Sequence, residues 1–546
     1  MADAVYDAII VGGGNKGLAL GCYLTKYGGM KTAMFDQRHE LGGCWATEEF
    51  VPGFAGNTHA TGVADWYLLP MYDDFPEIKE LGGEWIPYKT AFGAVFREDD
   101  SGVAVYNGRR DPYMEKTAKE IGRFSEKDAE TWAKVFRVWK DLLEPAFMKN
   151  VYNVPVPLGK PDPIEPILME AIIKLGGDES WFVKSPIEIG RELYESDAIV
   201  SLMLRISHSW AGCSPDLNGA GVFPMIASGP AQADSYGCAK GGTHSWAHAT
   251  YKIYTQNGGV SFTKSEVDKI LVENGRAKGI KLVDGTEIEA KIIITAGIDP
   301  HTLIFRLLRD ENIDAKIKRK IEHLSRKHIT ITWYSWAVHE LPDYKASKIS
   351  KGLNDSGWQA IITKDPEELI RTHARKILRE KYHPENNLIV WAHTIVDPTQ
   401  APEGKHVLGT EDFAVPPASV LNEMEWRDWK KDHAERVMKI LEKHTTNMNW
   451  DQVIGFNPLT PFDARNVTQT GPEGNWATLD HLPSQFGRYR PIPELADYRN
   501  PINNLYNTGA GWSPSGGGMV AQGYNCYKVI AEDMNLKSPE KEERGF

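Results

Sequence analysis

Apolar residues run unbroken over Ala8–Val11, break at Gly12-Gly13-Gly14, and then recur at helical spacing through "NKGLALGCYLTKYG". The helix this predicts starts near Asn15 and ends at Gly28–Gly29. A second short strand, "KTAMFD", closes on Asp36. The same order returns far downstream. "NLYNTG" reads as a strand, "AGWSPSGGG" as a glycine-rich loop, and a helix is expected from about Met519.

Between these ends the pattern changes character. Gly241–Gly242 precede a helix over roughly Thr243–Gln256, and Gly258–Gly259 stop it. From Val260 apolar and polar residues alternate, with hairpin turns expected at Asn274-Gly275 and Asp284-Gly285. A last strand, Ile292–Thr295, ends on Ala296-Gly297. Elsewhere Ser125 reads as an N-cap with Asp128 three residues on, and Trp132, Phe136, Trp139 and Leu143 form one helical face. Residues 151–166 are proline-rich and read as a loop, with helices resuming over about 167–209. Residues 328–339 and 387–415 read as strands of a second sheet.

At 546 residues the chain exceeds one ordinary core, so two domains or two interwoven lobes are expected. No apolar run approaches the roughly 18 residues that span a bilayer. "MADAVYD" carries no basic region or small-residue cleavage site, so a secretory signal is not expected. A formal charge of −12 argues against nucleic acid as a partner. The five cysteines, Cys22, Cys44, Cys213, Cys238 and Cys526, form no CxxC pair, which removes a dithiol relay and fits a cytoplasmic, reducing setting. Seventeen tryptophans fit large apolar cores or an aromatic-lined cavity.

Gly12-x-Gly14-x-x-Gly17, set between strand and helix and followed by Asp36, has the spacing of a dinucleotide site. Gly12 permits the tight turn, Gly14 lets backbone approach a pyrophosphate, and Gly17 packs helix on strand. Asp36 can accept from a ribose hydroxyl. A helix N-terminus offers N–H groups to phosphate.

Three further stretches carry a family resemblance. "QRHELGGCWATEEFVPGF" places Gly42–Gly43 just after the ribose acid; "GGTHSWAHATYKIYTQNGG" leads into "EVDKI" and "IIITAG"; and "NNLYNTGAGWSPSGGGMVAQGYN" follows. Together they resemble the phytoene-desaturase-like FAD oxidoreductases, which include carotenoid desaturases, carotenoid isomerases and retinol saturases. The resemblance covers roughly residues 5–75, 220–310, 385–415 and 455–535. It implies an α/β fold: a discontinuous Rossmann-type FAD-binding domain (1–75, 235–310 and 455–546) with an interleaved α+β substrate domain (76–234 and 311–454) that carries a helical lobe. It implies non-covalent FAD on Gly12, Gly14, Asn15, Gly17, Asp36, Gly42, Gly43, Val267, Ala296, Gly297, Gly509, Ala510, Gly517, Gly518, Met519 and Val520. The second glycine loop and its helix would face the flavin ring, where negative charge develops on reduction. Trp512-Ser513 stands where many members carry Thr-His, so a direct role for that position is not carried over.

The implied chemistry is dehydrogenation that leaves a C=C bond in an apolar or alicyclic substrate. An FAD amine oxidase and a redox-neutral isomerase using reduced flavin are the alternatives; saturation and a non-catalytic flavin protein stand behind them. His59, Thr61, Trp66 and Tyr67 follow the Gly42–Gly43 segment, and His59 is the candidate base. Tyr524 is a second candidate for the pocket. His244 and His248 are spaced i, i+4 but lack a third ligand, so no metal is expected. Cys44 is read as a small buried residue rather than a flavin attachment point. Oxygen, a quinone or a carrier would take the electrons, and a lipid substrate would bring peripheral membrane contact.

Overall fold

The computed structural model describes residues 4–384 and 388–539. Among these residues the first sheet holds seven strands. Along its main path they are Val260–Phe262, Thr32–Phe35, Ala4–Val11, Glu287–Ala296, Arg276–Leu282 and Val267–Glu273. Leu505–Thr508 also pairs with Glu287–Ala296. The pairings around Ala4–Val11 are parallel, and the register aligns Val11 with both Phe35 and Thr295 and aligns Ala296 with Thr508. The turns after all four strands therefore meet at one rim, where ligands of open parallel sheets bind.

The helix Asn15–Lys26 lies between His244–Gln256 and Ala521–Met534. Every residue from Asn15 to Thr25 is buried, so it is covered on all sides. Leu18, Leu20 and Leu24 are fully enclosed, each contributing roughly 2 kcal/mol of apolar burial. The helix expected from Met519 begins at Ala521. The preceding loop is drawn out because the Val520 N–H donates to the Tyr67 carbonyl at 3.0 Å and Gly517 holds a φ of 117°. The two expected hairpins form: Asn274 and Gly275 both take positive φ, and Gly285 takes a φ of 94°.

The second sheet, again among the described residues, also has seven strands. Their order is Val453–Leu459, Trp333–Val338, His406–Asp412, Leu388–Trp391, Trp358–Ile362, Thr90–Phe96 and Gly102–Tyr106. The boundary expected at 454/455 falls inside its edge strand Val453–Leu459. Asn387, expected to open a strand, lies outside the described residues; the strand begins at Leu388. A small sheet of Val63–Ala64, Tyr236–Ala239 and Trp85–Pro87 also forms. Ser125 caps Glu126–Val138, its hydroxyl accepting from the Asp128 N–H at 3.1 Å. Trp132, Phe136, Trp139 and Leu143 are buried, the last two in a π-helical turn over Trp139–Leu143.

Candidate functional site

At the rim of the first sheet the three glycines divide the work. A Cβ on Gly12 would stand 2.0 Å from the Ala296 carbonyl oxygen, and one on Gly17 would stand 2.3 Å from that of Gly12. Both serve close packing. A Cβ on Gly14 would meet nothing nearer than the Gly43 Cα at 3.9 Å. Gly14 is also the N-cap of Asn15–Lys26 and brings no side-chain cap, leaving the first turn to backbone N–H groups. Asp36 accepts from the Gly13 N–H at 2.7 Å and from the Arg38 N–H at 2.8 Å. Burial raises its carboxyl pKa, and the two backbone bonds oppose that shift. A pyrophosphate and ribose fit this set of groups: bare backbone, an uncapped helix and a terminal acid.

The second glycine loop folds onto the first. Asn15 donates from Nδ2 to the Gly518 carbonyl at 2.8 Å, and Trp45 donates from Nε1 to the same oxygen at 2.9 Å. Lys16 Nζ donates to the Gly517 carbonyl. Lys16 is buried, and loss of hydration pulls its ammonium down to about 8. From the other side the Gly516 N–H donates to His481 Nε2 at 3.1 Å. Arg490 is fully buried and donates to the carbonyls of Ala477, Leu479, Asp480, Gln485 and Ala510, locking the segment beneath the loop. Trp512 is also fully buried, as a packing residue.

One cavity of about 1360 Å³ joins these elements to the second sheet. Of the expected cofactor residues, Gly12, Gly14, Asn15, Gly17, Asp36, Gly43, Val267, Ala296, Gly297, Ala510, Gly517, Gly518 and Met519 line it. Gly42, Gly509 and Val520 stand behind the wall. Gly42 donates its N–H to the Gly13 carbonyl at 2.8 Å, and Gly509 lies so close to Gly297 that a Cβ would come within 2.6 Å of its nitrogen.

The far end of the cavity is aromatic and aliphatic. Trp66, Trp210, Trp333, Trp358, Trp391, Tyr236, Phe413 and Ile389 line it. One carboxylate interrupts this wall. Glu411, 4 % exposed, accepts from the Thr61 hydroxyl at 2.6 Å and from Trp391 Nε1 at 2.7 Å. Burial pushes its pKa up to about 7 against those two bonds and the attraction of Arg205. His59 lies on the cavity wall against Trp333, ring centroids 4.7 Å apart. Its Nε2 meets the Thr468 hydroxyl at 2.8 Å and its Nδ1 the Thr58 hydroxyl at 3.2 Å. Burial lowers its pKa to about 3, so the ring is neutral at ordinary pH. Tyr524, expected near the chemistry, is not on the wall; its ring packs edge-on against Tyr23 at 5.3 Å and Tyr152 at 6.1 Å. The reason is helical phase: its helix turns that side toward Asn15–Lys26. The rings of His244 and His248 lie 4.3 Å apart, tilted by 59°, and among the described residues no group of three or more potential ligands is placed to hold a metal ion. Cys44 lines the cavity as a free thiol whose pKa is raised by burial.

Lys16, Trp45, Arg490 and Glu411 were not legible as site residues. For Lys16 a signal existed: a lysine inside a glycine turn that opens a buried helix must find a partner or a ligand.

Comparison with known proteins agrees with this geometry. Residues 10–81 match the NAD(P)-binding Rossmann-like domain family. A limonene dehydrogenase subunit of Castellaniella defragrans is 24% identical, covering 97% of this chain and 95% of that protein. A neurosporene-forming phytoene desaturase of Rhodobacter capsulatus is 27% identical over 55% of each chain. The solved structure of a putrescine oxidase redesigned in its cofactor binding covers 97% of this chain with a TM-score of 0.60 at 13% identity, a likeness of fold. Sequence motifs, sheet topology and these likenesses converge on an oxidoreductase with a Rossmann-like dinucleotide-binding fold, similar to the phytoene desaturases and to limonene dehydrogenase.

Proposed function

We propose that this oxidoreductase is a dehydrogenase that removes hydrogen from two adjacent carbons of an apolar or alicyclic molecule and leaves a C=C bond. One observation carries the reading: a single cavity runs from bare glycine backbone to a wall of tryptophan, phenylalanine and isoleucine. By their names the two relatives act on limonene and phytoene, both hydrocarbons.

Bound FAD would supply a two-electron acceptor. The backbone at Gly14 and the first turn after it would hold the pyrophosphate. Asp36 keeps lone pairs for a ribose hydroxyl beside its two backbone bonds. The loop Gly517–Met519 would flank the flavin ring. The aromatic wall orients an apolar substrate and excludes water. The cofactor-holding unit would comprise 1–75, 235–310 and the chain from about 460, since Val453–Leu459 pairs in the second sheet. Leu158, Ile173, Phe182 and Val183 are exposed on or near segments that line the cavity, which suits uptake from a lipid surface.

Anaerobic mixing with cyclic alkenes, linear polyenes, cyclic ketones and amines tests the reading. Bleaching of the oxidised flavin by a hydrocarbon, with a product two hydrogens lighter, is expected. Bleaching by amines alone would replace this reading with an amine oxidase. Conversion that requires prior reduction, with no net electron uptake, would replace it with an isomerase.

A further inference from the structure

Among the described residues that line the cavity, Glu411 is the one buried carboxylate. It sits on His406–Asp412, in the middle of the second sheet, and the next residue on the strand faces the other way. Asp412 is engaged there by His433 Nε2 at 2.7 Å, both residues buried. Glu411 instead lies among Trp391, Trp358, Ile389 and Phe413 on the cavity side. Leaving a carboxylate in such a wall is costly, and a buried acid of no use is more cheaply replaced by an apolar residue.

Its surroundings prepare it to take a proton. Thr61 and Trp391 each give one hydrogen bond, one to each carboxylate oxygen. Each oxygen therefore keeps a free lone pair. The two donors come from different elements, so the carboxylate plane is fixed. The Arg205 guanidinium, fully buried on Asp197–Ala211, stacks over Phe413 at 4.8 Å and supplies compensating positive charge. Asp412 and the phenols of Tyr236 and Tyr88 are the other titratable groups that interact with Glu411. His59, the other candidate on this wall, already shares both ring nitrogens with hydroxyls.

We propose that Glu411 is the catalytic base of the cavity, its carboxylate taking the proton from a substrate C–H bond. This rests on the dehydrogenase reading above. As one C–H bond of the substrate breaks, its electron pair leaves as hydride to the oxidised flavin. On the adjacent carbon a second C–H bond breaks. Its proton goes to a Glu411 oxygen and its electron pair becomes the second bond of C=C. The flavin is reduced, the substrate is oxidised, and Glu411 ends as a carboxylic acid that returns its proton to solvent. The substrate class follows: a molecule with no basic atom of its own at the reacting carbons, because the protein brings the base.

Two measurements on FAD-loaded wild type and Glu411→Gln test this. The first needs no substrate. Infrared difference spectra across neutral pH should show one carboxylic C=O band titrating near pH 7, absent from Glu411→Gln and moved to higher pH when cyclohexane fills the cavity. A band unchanged in the variant, or one insensitive to cyclohexane, overturns the assignment. The second is the rate of anaerobic flavin bleaching by the cyclic alkenes and polyenes. In wild type it should rise about tenfold per pH unit and level off above the midpoint. Glu411→Gln should be at least about 100-fold slower with a flat profile while FAD affinity stays within about twofold. Thr61→Val should move the wild-type midpoint upward. Wild-type bleaching in Glu411→Gln, or an unaltered pH profile, overturns the proposal. If no hydrocarbon bleaches the flavin, the dehydrogenase reading fails, and the role of Glu411 as base for a hydrocarbon fails with it. A cyclohexane-sensitive infrared band would then still mark Glu411 as a titrating group of the cavity, so the two failures are told apart.

Discussion

Asn15 and Gly518 are 503 residues apart and joined by a 2.8 Å hydrogen bond from the asparagine Nδ2 to the glycine carbonyl. The bond ties the turn of the first glycine cluster to the loop of the second. Removing it by Asn15→Ala should cost about 1 kcal/mol, the net worth of such a bond. FAD affinity should weaken about fivefold, read by quenching of flavin fluorescence on titration. Affinity equal to wild type would show that the loop is ordered without this bond.

Gly12 and Gly14 are two residues apart and should answer differently to alanine. Gly14 has a φ of −69°, and a Cβ there touches only Gly43 at 3.9 Å. Gly14→Ala should leave the melting temperature of the apoprotein within about a degree and weaken FAD binding by about tenfold or more. Gly12 has a φ of 105° and a carbonyl 2.0 Å from the Cβ position. Gly12→Ala should therefore destabilise the apoprotein itself, by about 3 kcal/mol or more. Thermal melts with and without FAD separate the two cases.

Lys16 gives a pH test. Its folded pKa of about 8 lies below the ordinary lysine value. The fold therefore disfavours the ammonium. The stability the neutral amine contributes is fully present above the unfolded pKa and is lost as pH falls through about 8. A bound diphosphate reverses that preference by attracting the ammonium. FAD binding should thus take up a proton above about pH 8, and affinity should fall by up to about tenfold per pH unit there. Lys16→Met should flatten the profile. A flat wild-type profile would place the ammonium out of reach of the phosphates.

Glu411 gives the opposite sign in stability. Its carboxyl rises from 4.5 to about 7 on folding. Its contribution is fully present below the unfolded pKa and lost as pH rises through the folded one. Between about pH 5 and 8 wild type should lose up to roughly 3 kcal/mol that Glu411→Gln does not lose. Denaturant melts of both proteins at the two pH values check this. Parallel losses would mean that the carboxylate is well solvated.

How far these features are legible in sequence depends on their range. The dinucleotide turn announces itself locally, because Gly12, Gly14 and Gly17 each answer a steric demand within one βα unit. The second glycine loop looks like a linker until it is set beside the first. Glu411 leaves no trace. In "GTEDFAV" an acid pair on an alternating strand reads as one residue in and one residue out. Both are buried because this sheet is covered on both faces, a fact of tertiary packing that no local period encodes. Tyr524 fails in the other direction: it follows the glycine loop closely in sequence, but helical phase turns it into the aromatic cluster around Tyr23.

The strand Glu287–Ala296 pairs with Ala4–Val11 on one side and Leu505–Thr508 on the other. This has a consequence for biogenesis. A nascent chain that has made Ala4–Val11, its helix and Thr32–Phe35 must wait for roughly 250 more residues before the strand on the other side of Ala4–Val11 exists, and for roughly 470 before Leu505–Thr508 does. Contacts so distant along the chain form slowly, since the loops must close before burial rewards them. The nucleotide-binding half is begun before the second sheet is made and finished after it. In the interval its open sheet edge and apolar helix invite aggregation or chaperone capture. Flavin supply during synthesis should therefore govern how much of the protein survives to be measured.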